Sequence, residues 1–94
     1  MRTVNKATHA GVLKVQANVY HLDFDGGKIV VFVEANRNVL SHFASGRRIC
    51  ALPIASLAKY QQRDVAQEEL DRTIAKAGVD KARLIFSEHP TINP

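Results

Sequence analysis

The chain has one cysteine, Cys50, and no second one to join it. An internal disulfide is therefore excluded, and a free thiol suits a reducing compartment. Long apolar runs are also missing. The longest, residues 29–33, is far below the ~20 residues a membrane helix needs. The first ten residues hold Arg2, Lys6 and His9 but no apolar core of a secretory leader. No membrane contact is expected, and the expected location is the cytoplasm. Aromatic residues are only 6% of the chain, which leaves few platforms for stacking on unpaired bases. Catalytic signatures are scarce too. Gly26-Gly27 has neither the spacing nor the following helix of a phosphate loop, and no serine stands in a nucleophile-elbow context. At 94 residues there is room for one domain, with loose ends expected at about 1–10 and 88–94, and little material for a deep active site. An enzyme is not expected, and neither is a cofactor or a metal.

Acidic residues are unevenly absent. Residues 1–22 contain none and carry Arg2, Lys6 and Lys14, while residues 35–63 contain none and carry Arg37, Arg47, Arg48, Lys59 and Arg63. The net charge of +4 thus comes wholly from the first half of the chain. Such segregation places a positive field over part of a surface.

What is present has the periodicities of an α+β domain. In residues 11–24, Leu13, Val15, Ala17 and Val19 alternate with polar residues, as in a half-buried strand. The apolar phase then passes to Tyr20, Leu22 and Phe24. A β-bulge near Val19 and Tyr20, or a break into two strands, would accommodate that slip. Asp25-Gly26-Gly27 is a hairpin turn, and residues 28–35 return as a strand apolar on both faces. Residues 39–44 read as a strand or, through an Asn38 cap, as a short helix. The strand is preferred because Ser45-Gly46 then turns the chain into a second arm, residues 47–52, that ends at Pro53. This hairpin places His42 opposite Ile49 and turns Cys50 to the other face, which argues against a thiolate–imidazole pair.

Helices are expected over 53–62 and 64–77. In the second, Ala66, Leu70, Ile74 and Ala77 form the apolar stripe, Asp64 and Gln67 form a capping box, and Gly78 ends the helix. Residues 83–87 read as a short closing strand. The expected fold is a mainly antiparallel meander of three to four strands with two C-terminal helices on one face. Its expected core is Val15, Val19, Leu22, Phe24, Ile29, Val31, Val33, Leu57, Leu70, Ile74, Leu84 and Phe86.

His21, Asp23 and Asp25 share one strand face, but they span about 13 Å, too far for one ion. The arginines carry more weight. Their planar, multi-donor heads suit phosphate contact from loops and helix ends. Arg37, Arg47, Arg48, Lys59 and Arg63 are therefore the candidate nucleic-acid-binding set of a small non-enzymatic basic module. The alternative is a protein-interaction domain, a possible homodimer, that uses an exposed sheet edge. Clustering of the five basic side chains favours the first, and dispersal beside an open edge favours the second.

Overall fold

A computed structural model describes residues 1–53 and 61–94. Five antiparallel strands follow one another across a single sheet: β1 (Arg2–Thr8), β2 (Gly11–Phe24), β3 (Gly27–Glu34), β4 (Val39–His42) and β5 (Arg48–Ala51). Two helices follow, α1 (Gln62–Ala77) and α2 (Val79–Glu88). The α+β class is as expected, with one strand more than expected. The helix expected over 53–62 falls largely outside the described residues, as do Leu57 and Lys59.

The change of phase within β2 has a different cause from the expected bulge or break. β2 pairs with β3 in continuous register from Ala17–Glu34 to Phe24–Gly27. It serves two cores on opposite faces. Tyr20, Leu22 and Phe24 join Ile29, Val31, Val33 and Leu40 beneath α1, where Val65, Ala66 and Leu70 close the layer. Val15, Ala17 and Val19 pack on the other face with Val4, Phe32 and Phe43. Alternation sends successive residues to opposite faces, so a strand buried first on one side and then on the other must change apolar phase without any defect.

The first residues are not a loose end. They form β1, which pairs with β2 from Arg2–Ala17 to Thr8–Gly11. The sheet curls until β1 meets the β4–β5 connection, where the Ala7 N–H donates to the Gly46 carbonyl at 3.0 Å. The C-terminal residues are docked there as well. The Asn93 amide donates to the carbonyls of Asn5 (2.8 Å) and Phe43 (2.7 Å), and its oxygen accepts from the Asn5 N–H at 2.9 Å. One buried side chain thus stands in for a strand rung along β1.

Residues 83–87 are helical, not a closing strand. Their β-branched and aromatic content suggests a strand, but Ala82 and Phe86 lie a helical turn apart and pack inward. Leu84 then falls on the outer side and is 63% exposed. The Asp64–Gln67 capping box is also absent. α1 starts two residues earlier with Gln61 at its cap position, without a side-chain cap.

Candidate interaction surfaces

The sheet separates the basic residues that the sequence groups together. Arg37 lies in the β3–β4 turn, and Arg47 and Arg48 lie at the opposite end of β4, all three exposed. A four-residue strand between them puts the two ends about 13 Å apart. Arg63 is on α1, where its guanidinium donates to the His21 carbonyl at 3.0 Å. Lys59 lies outside the described residues. Among the described residues of the candidate set, only Arg47 and Arg48 are brought together. The strand-borne acids are used locally: Asp23 pairs with Lys28, and Asp25 with Arg83. Lys28 holds the Asp23 carboxyl below the usual carboxylate range, by its hydrogen bond and then by its charge. Among the described residues no group of three His, Cys, Asp or Glu side chains is arranged to hold a metal ion.

The edges of β2 are treated in two different ways. β1 pairs with residues 11–17 on one side, and β3 pairs with residues 17–24 on the other. Each half of β2 is thereby left with one edge that has no neighbouring strand. For the second half, α1 supplies side chains in place of a strand. Gln67 accepts from the Asp23 N–H (2.7 Å) and donates to the Asp23 carbonyl (3.0 Å), beside the Arg63–His21 bond. Gln62 accepts from Tyr20 Oη at 2.7 Å and from Asn18 Nδ2 at 3.1 Å. Burial raises the Tyr20 phenol above its usual range, so it remains a donor.

The first half of β2 has no such cover among the described residues. The Ala35 N–H donates to the Gln16 carbonyl at 2.8 Å, which marks Gln16 as facing the β3 side. Alternation puts the N–H and C=O groups of Val12 and Lys14 on that same edge, past the end of β3. Val12 and Leu13 are 55% and 52% exposed. The chain leaves β3 through Asn36 at φ 65°, so the Arg37 turn flanks the notch. Sequence reading missed this surface. It placed Leu13 in a buried alternating series, and Gly11, at φ 114°, was the one signal of a hairpin turn there.

His42 and Cys50 correct a second expectation. Instead of standing opposite Ile49, His42 closes the β4–β5 loop with Arg47: its N–H donates to the Arg47 carbonyl at 2.8 Å. A register shift then pairs Leu40 with Cys50 and Ser41 with Arg48. The extra residue turns Cys50 onto the helix-covered face, the same face as His42. Burial raises the Cys50 thiol despite the nearby Thr73 hydroxyl, which disfavours the nucleophilic thiolate. His42 bonds to Ser45 instead, with 2.8 Å between Nδ1 and Oγ. Burial, and then the charge of His89, lowers its imidazole below the usual range.

No family model, curated protein or solved structure matches the chain. Among the described residues, no helix is long and apolar enough to cross a membrane.

Proposed function

We propose that the protein is a non-enzymatic interaction module that receives an extended segment of a partner polypeptide along the first half of β2. The observation that carries this reading is the unequal treatment of the two β2 edges. One is sealed by Arg63 and Gln67. The other leaves the backbone groups of Val12 and Lys14 beside two exposed apolar side chains. A strand's unpaired rungs supply affinity for another strand, and alternate side chains supply selectivity. Lys14, Arg37 and the lack of acid over residues 1–22 make an acidic segment the complementary partner.

A labelled peptide alternating valine with glutamate should bind and shift the amide resonances of Val12 and Lys14. Its valine–lysine counterpart should not bind, and a proline placed in the acidic peptide should abolish binding. Binding that ignores both peptide charge and proline would rule out strand addition here. Sedimentation equilibrium distinguishes a second copy as the occupant, since a dimer broken by Leu13→Asp would identify it.

Nucleic-acid binding is favoured by one separate observation, the adjacent exposed arginines 47 and 48 at the start of β5. On this reading, anisotropy with labelled DNA and RNA gives affinity that falls steeply with salt and drops in Arg47→Ala/Arg48→Ala. No binding at low salt removes it.

A further inference from the structure

Between the β4–β5 hairpin and the two helices lies a cavity of about 170 Å³. At ~30 Å³ per water, it holds roughly five or six waters or a ligand of comparable size. Its walls are mostly apolar, with Ile49, Ile74 and Phe86 among them. Two of its polar wall residues are buried: Ser45 is 4% exposed and His42 9%.

His42 is neutral at physiological pH, because burial lowers its affinity for a proton. The Ser45 hydroxyl has Nδ1 of that ring at 2.8 Å. Ser45 Oγ already accepts from the Arg47 N–H at 3.4 Å, and Nδ1 is the ring atom beside its hydroxyl, so the tautomer with the proton on Nε2 is the one that gives the Ser45 hydroxyl an acceptor. Among the described residues, the bond at Nδ1 is the ring's hydrogen bond, and no buried side-chain nitrogen or oxygen lacks a partner. Nε2 is therefore not an enclosed atom without a partner. In that tautomer the remaining ring donor belongs to a buried side chain that lines the cavity.

The charge around the cavity has one sign. Arg47, Arg48 and His89 belong to its wall, and no carboxylate does among the described residues. A neutral donor on a buried lining residue, two arginines among the lining residues and a mostly apolar wall match a carboxylate head on a short apolar chain or ring. A cation meets no acceptor charge there, and a purely apolar molecule leaves Nε2–H unpaired. We infer that this cavity is a binding site for a small organic carboxylate with a short branched or aromatic body.

Two-dimensional NMR titration of the isotope-labelled protein tests the inference, with benzoate and 2-methylpropanoate as probes and their neutral amides as controls. The expected result is saturable shifts at His42, Thr73, Ile74 and Phe86, with the carboxylates favoured over the amides by about tenfold or more. Arg47→Ala/Arg48→Ala, which changes only exposed side chains, should remove most of that preference. Ala82→Leu, which extends a wall residue into the space, should abolish binding while the spectrum stays dispersed. Equal binding of acid and amide, shifts that persist in a folded Ala82→Leu, or no shift with either acid at millimolar concentration would each overturn the site. If Ala82→Leu fails to fold, the arginine variant and the acid–amide comparison still decide the matter.

Discussion

Gly46 shows how one residue sustains the curl of the sheet. It is buried, with φ at +68°, a left-handed conformation that L side chains rarely adopt. A Cβ there would press on Ile92 Cδ1 and come within 2.9 Å of Ala7 N and 3.0 Å of Asn5 O. Two of those atoms are backbone of β1 and cannot swing aside. Gly46→Ala should therefore strain the turn and push β1 away from the β4–β5 connection. A loss of about 2–4 kcal/mol is expected from left-handed strain and overpacking together, read as a fall in the urea midpoint at unchanged slope. A change under about 0.5 kcal/mol, ordinary for a surface site, would mean that the β1 contact contributes little.

Element by element, legibility in the sequence followed the strength of the periodic signal. β2 and α1 were readable because apolar residues recur in them at period two or at helical spacing, and β3 because a short apolar run follows a Gly-Gly turn. β1 was not, since Val4 is its one strongly buried apolar side chain. The two-faced burial of β2 looked like a defect, although the run of residues 29–33, apolar on both faces, already pointed to cover on both sides of the sheet. Residues 83–87 misled by composition: tertiary packing of Ala82 and Phe86 overrode the strand preference of their β-branched and aromatic neighbours. Of the candidate basic set, the sequence order kept Arg47 and Arg48 together, but Arg63 had no legible reason to cap a strand edge. The helical assignment of α2 has a sharp test. Leu70 is fully buried while Leu84 is 63% exposed. Leu70→Ala should cost about 2–5 kcal/mol, whereas Leu84→Ala should stay within about 0.5 kcal/mol. Comparable losses at both sites by chemical denaturation would favour a buried strand over residues 83–87.

At the scale of the whole molecule, His42 links the sheet to α2 and makes stability depend on pH. Its ring lies 5.0 Å from that of Phe86, between centroids, and its Nδ1 is 2.8 Å from Ser45 Oγ. Burial opposes a positive charge on the ring, and the charge of His89 opposes it further. The folded chain therefore holds His42 neutral to lower pH than the unfolded chain does. The unfolded imidazole takes its proton near pH ~6.5. Stability from this group is fully present above that value. As pH falls toward the lowered folded value, the unfolded state binds more protons and is favoured. The urea midpoint should thus decline between about pH 7.5 and about pH 5.5, a window above the range in which carboxylates titrate. His42→Gln removes the titrating ring and should flatten the decline. His89→Gln removes one opposing charge and should make it shallower, with the His42 titration seen by NMR moving back toward the usual value. A decline as steep in His42→Gln as in the parent protein would locate the pH sensitivity elsewhere, in one of the exposed histidines or at the chain ends.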